Sequence, residues 1–66
     1  MSIYRCYFHD KRGVTTDWQP IYSDNEAEAR LDALDVLREH RHVQKLEVWR
    51  DASRLFEVGR ELLDSN

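Results

Sequence analysis

Several groupings of side chains in this 66-residue chain have the types and spacing for chemistry. Cys6 and His9 could form a nucleophile and base, a thiol activated by a neighbouring imidazole. On a strand, however, residues i and i+3 point to opposite faces, so this pair is expected to stay apart. His40 and His42, joined by His9, have the ligand types for a three-histidine zinc site. Two residues apart at a helix end they diverge by about 200° unless His42 has already left the helix. No cysteine pair and no His-Glu-x-x-His spacing supports them. The expected role of the Arg38–His42 segment is to complement the negative end of a helix. Both glycines stand alone, so no phosphate-cradling loop is present. No residue is assigned a catalytic role, no metal or cofactor is expected, and the chain is not expected to be an enzyme.

Two other groupings point to binding. Glu28, Asp32, Asp35 and Glu39 recur at i, i+4, i+7 and i+11, which places them on one stripe of a helix. They read either as an ordinary solvated face or as a docking stripe for a basic protein partner. In both cases the stripe repels phosphates, which excludes a DNA-recognition helix. Arg5, Tyr7, Lys45 and Trp49 form the second grouping, aromatic rings flanked by cations. On a sheet face such residues stack unpaired bases in some small domains, or anchor a protein interface.

The elements that must position these groups follow from short-range signals. Ile3–His9 is rich in β-formers, and Asp10-Lys11-Arg12-Gly13 supplies a turn with a glycine suited to positive φ. Val14–Trp18 returns as a second strand, which ends at Pro20 or lies at a sheet edge. Ser23 with Glu26 predicts a capping box, followed by a helix from Asp24 to about Arg41. Val43–Arg50 alternates as a third strand, Asp51-Ala52-Ser53 forms a turn, and Arg54–Val58 a fourth strand. Residues 61–66 read as a short extra turn or a frayed end.

This order predicts one α+β domain over residues 1–66: ββαββ, a single helix on a four-stranded antiparallel sheet of order 2-1-3-4. The covered face would carry Tyr4, Cys6, Phe8, Leu46, Val48, Phe56 and Val58. The helix would answer with Ala27, Leu31, Leu34 and Leu37. Arg5, Tyr7, His9, Lys45, Glu47, Trp49 and Leu55 would be left on the open face, with Tyr7 and Trp49 close together on the central strands.

Composition bounds the function further. The chain is 41% hydrophobic and 11% aromatic, unlike disordered segments, yet too short to bury more than a marginal core. A formal charge of -3 disfavours a general nucleic-acid binder. Apolar runs of two or three residues predict no membrane association. The single cysteine, Cys6, fits a buried small hydrophobe in a reducing cytoplasm.

With its segments laid out, the chain resembles an uncharacterised family of short bacterial ββαββ proteins, a domain of unknown function. The similar stretches are Tyr4–Asp10, with its aromatic strand ending in His9-Asp10, and the acidic, alanine-rich helix start Ser23–Arg30. The hairpin Leu46–Asp51 followed by Leu55–Val58 is similar too. The resemblance implies the fold and no activity. The expectation is therefore a non-catalytic interaction module that self-associates through the open face, with single-stranded nucleic-acid binding there as the alternative.

Overall fold

The computed structural model describes residues 1–64. Four strands run β1 (Ser2–His9), β2 (Thr15–Ser23), β3 (Lys45–Arg50) and β4 (Ser53–Gly59). Helix α1 (Glu26–Glu39) joins β2 to β3, and one helical turn, α2 (Glu61–Asp64), follows β4. The sheet is antiparallel throughout with order β2-β1-β3-β4, as the distribution of β-formers predicts. The last two residues of the expected frayed end, 65 and 66, lie outside the described part.

Each connection has a local cause. In the β1–β2 turn, Gly13 takes φ +81°, which costs a glycine nothing. Asp10 Oδ1 accepts from the amides of Arg12 (2.9 Å) and Val14 (3.0 Å), closing an Asx-type turn. Those amides hold the exposed Asp10 carboxyl below its usual range, Val14 foremost. Of the two outcomes expected at Pro20, an end or a place at the sheet edge, the second holds: β2 runs through Pro20 as an edge strand. Pro20 pairs with Arg5 at the outer edge of the sheet, where a missing N–H is tolerated. Asp51, at φ +54°, turns β3 into β4; aspartate is among the residues that enter this region most readily.

The covered face matches the expected alternation: Tyr4, Cys6, Phe8, Leu46, Val48, Phe56 and Val58 are all buried. The helix presents a different stripe from the one its leucines predict. Ala29, Ala33, Val36 and Leu37 are buried, whereas Leu31 is 65% exposed and Ala27 is exposed. Leu34 packs partly against the core and Leu37 is fully buried. The helix start also lies elsewhere than expected. Asn25, not Ser23, is the N-cap, and its Oδ1 accepts from the Glu28 amide at 2.9 Å. Glu28 reaches back to the Asp24 amide at 3.2 Å, so the reciprocal pattern exists two residues later than expected. Ser23 is instead the buried last residue of β2, and its hydroxyl donates to Asp32.

The helix also ends sooner, at Glu39. Arg60 closes this end: its Nε donates to the Val43 carbonyl (2.9 Å) and its Nη2 to those of Leu37 (2.8 Å) and His40 (2.7 Å). One side chain thereby serves carbonyls that a helix terminus leaves without partners. Val43 is buried but precedes β3. Leu55 leaves the open face as well. It falls at a register shift opposite Val48 and Trp49, and it packs against the core.

Candidate functional site

The face of the sheet opposite α1 is covered by no other element among the described residues. Its geometry follows from register. Tyr7 pairs with Trp18 on β2 and with Glu47 on β3, while Trp49 lies beside Arg5 one row away. Three rings from three strands thus form a continuous band. The Tyr7 and Trp18 centroids are 6.4 Å apart with a 35° tilt, and Tyr7 meets Trp49 edge-on at 6.3 Å and 83°. Both distances lie in the range where aromatic pairs attract beyond their burial.

Trp18 was not among the residues expected on this face. It is nevertheless the most open ring of the band, 51% exposed. Counting outward from the Asp10–Val14 turn would bring Trp18 opposite Cys6; the register shift between Phe8 and His9 moves it one residue, opposite Tyr7. Ile3 and Tyr22, paired on the same face, extend the exposed apolar surface toward the far end of β1.

The charged groups around the band are mostly engaged with one another or with the rings. Arg5 places its guanidinium carbon 5.9 Å from the Trp18 ring centroid. Glu47 Oε1 accepts from the Trp49 indole N–H at 2.9 Å, which orients that ring. Glu47 and Glu57 stand directly across β3 and β4, a pairing that repels by itself. Arg54 joins them, at 3.6 Å from Glu47 and 2.6 Å from Glu57, and Lys45 Nζ reaches Glu57 at 3.5 Å. The Arg54 hydrogen bond, then the Lys45 charge, hold Glu57 below the usual carboxylate range.

His9 completes the floor. It is only 8% exposed, with Nδ1 3.2 Å from the Thr15 hydroxyl and Nε2 3.7 Å from Glu47. Nε2 makes no hydrogen bond at that distance. Above these groups Tyr7, Thr15, Glu47 and Trp49 line a shallow hollow of about 320 Å³.

The other candidate groupings are dispersed. Cys6 lies on the covered face and His9 on the open one, so no nucleophile pair forms. His40 packs against Phe8 on the covered side (4.9 Å between centroids) and its Nδ1 contacts the Val36 carbonyl at 2.8 Å. His42 is exposed, and the three histidines do not converge. Among the described residues no group of three or more His, Cys, Asp or Glu could hold a metal ion. The acidic stripe is interrupted: Asp32 turns to the Ser23 hydroxyl, Asp35 pairs with Arg38 at 2.8 Å, and Glu28 serves the Asp24 amide. Glu39 stays exposed. No described helix is long and apolar enough to cross a membrane. Comparison with protein-family models, curated proteins and solved structures finds no match.

Proposed function

We propose that this chain is a non-catalytic interaction module that pairs with a second copy of itself through the open sheet face. The observation that carries this reading is the band Trp18–Tyr7–Trp49, Trp18 exposed and the other two rings half-buried, at the middle of a face that no other element among the described residues covers. Aromatic residues are the side chains that protein interfaces concentrate at their buried centres. The area agrees. The molecule measures 30 × 27 × 16 Å, so its broad face approaches the roughly 800 Å² that each partner contributes to a standard interface. The surrounding charges agree too, since Lys45 and Arg54 already neutralise Glu57 and Glu47. They can stay paired at an interface rim without attracting a polyanion.

Single-stranded nucleic acid is the competing occupant. Arg5, Tyr7, Lys45 and Trp49 are its anchors, but Lys45 is committed to Glu57 and Arg5 to Trp18. Our reading places the module in a reducing compartment such as the cytoplasm, where the single thiol Cys6 can stay free. Membership of the short bacterial ββαββ family belongs to the same proposal and adds no activity to it.

Sedimentation equilibrium tests the reading. The wild-type chain should fit a monomer–dimer equilibrium, and Trp49→Ala or Tyr7→Ala should weaken it about 30-fold, the effect of losing an interface anchor of about 2 kcal/mol. A wild-type chain that stays monomeric at the highest attainable concentration overturns self-association. Salt-dependent retention of that monomer on a single-stranded oligonucleotide would assign the face to nucleic acid.

A further inference from the structure

A second surface stands apart from the aromatic band, at the end of the sheet where the β1–β2 turn, the α1–β3 loop and Arg60 meet. A hollow of about 550 Å³ opens there, lined by Lys11, Arg12, Arg41, His42, Arg60 and Asp10 among others. It gathers four of the ten Lys and Arg residues and one of the thirteen Asp and Glu residues of a chain whose formal charge is -3.

The partners of those cations single the hollow out. Elsewhere each base has a use. Arg30, Arg38, Lys45 and Arg54 pair with carboxylates. Arg5 and Arg50 lie over the rings of Trp18 and Tyr4. Among the described lysines and arginines, the side chains of Lys11, Arg12 and Arg41 alone make neither a hydrogen bond nor an ion pair nor a ring contact, although the Arg12 charge acts on the nearby Asp10 carboxyl, and all three line this hollow. Behind them Arg60 is held rigidly by three carbonyls. The one acid, Asp10, has an oxygen committed to the turn amides and keeps the loop bearing Lys11 and Arg12 in shape.

We infer that this hollow binds a small anion carrying two or more phosphate groups, gripped by the side chains of Lys11, Arg12 and Arg41 against the fixed guanidinium of Arg60. Guanidinium forks match phosphate oxygens two at a time, and unpaired cations lose no protein partner when they turn to a ligand. The hollow has the size of a small-ligand site. Its cations are confined to one end and do not continue as a track along the sheet, which favours a compact polyanion over a polymer backbone. The inference is independent of self-association, because the band and the hollow share no residue.

Amide-resolved NMR titration with inorganic tripolyphosphate tests it. Saturable shifts are expected around residues 10–14, 40–44 and 60, with the Arg12→Gln/Arg41→Gln double variant binding at least tenfold more weakly while its spectrum outside the hollow is unchanged. ATP without magnesium is the second probe. Equal affinity supports recognition of the phosphates alone, and tighter binding supports a nucleotide as their source. Non-saturating shifts overturn the inference, as do shifts that the double variant leaves intact. A single-stranded oligonucleotide that binds the same residues more tightly than tripolyphosphate overturns it in favour of a polymer. If the double variant does not fold, single Lys11→Gln and Arg41→Gln variants decide by the same criterion.

Discussion

Cys6 is fully buried between Tyr4 and Phe8 on the covered face of β1, and burial pushes its thiol from 9.0 up to about 12, with the Asp32 charge adding to the effect. A thiol that holds its proton is not a nucleophile, so labelling by a thiol reagent near pH 8 should follow global unfolding and not precede it. The linkage has a definite sign. The folded state binds the Cys6 proton more tightly than the unfolded chain does, so this contribution is intact below pH 9 and disappears as pH rises toward 12. Across that window stability should fall by about 1.4 kcal/mol per pH unit. Other groups titrate there too, so the check is the difference between wild type and Cys6→Ala in urea unfolding at pH 8 to 11. Equal slopes would refute the assignment. Burial of Cys6 was legible from alternation alone, as were the separation of Cys6 from His9 and the nearness of Tyr7 to Trp49. Trp18 was not, because the one-residue register shift between Phe8 and His9 decides which face it takes. The commitment of Lys45 to Glu57 was also hidden, since that contact joins residues on different strands.

At the scale of the element, α1 shows how a local signal can be right in kind and wrong in phase. Ser23-Asp24-Asn25-Glu26-Ala27-Glu28 contains two overlapping capping patterns, and helix propensity does not choose between them. Packing chooses. With Asn25 as the cap, Ala29 and Ala33 face the sheet and bring the helix close. The leucine stripe would have placed bulkier side chains there and left the Ser23 hydroxyl without Asp32. Small residues therefore decided the contact, and hydrophobicity alone favours the leucines. Urea titration of three variants separates the two phases. Asn25→Ala should cost about 1 kcal/mol. Ala33→Leu should cost about 1–3 kcal/mol by overpacking. Leu31→Ser, on the exposed side, should stay within about 0.5 kcal/mol of wild type. Near-neutral Ala33→Leu together with a costly Leu31→Ser would restore the leucine-facing helix.

For the whole molecule, strand order was the most legible property. Two hairpins and one helix leave few unknotted arrangements, and the richest β-formers claim the centre. The function of the uncovered side is less legible, because sequence alternation states which residues face away from α1 but not what they meet. A two-layer domain of this length buries one face of its sheet and has no further element for the other. If a second copy supplies that cover, folding and association are linked. The melting temperature should then rise with protein concentration, by RT ln(1 + [L]/Kd) in free-energy terms, with the partner as ligand. Trp49→Ala should flatten this dependence and leave a lower, concentration-independent melting temperature. Ionic strength separates the two occupants, since an interface of internally paired charges changes little with added salt, while a phosphate backbone is released by it. Calorimetry over a hundredfold range of concentration, at low and high salt, reads both effects together. A melting temperature that ignores concentration in the wild type would mean that the monomer is stable with Trp18 exposed and Tyr7 and Trp49 half-buried.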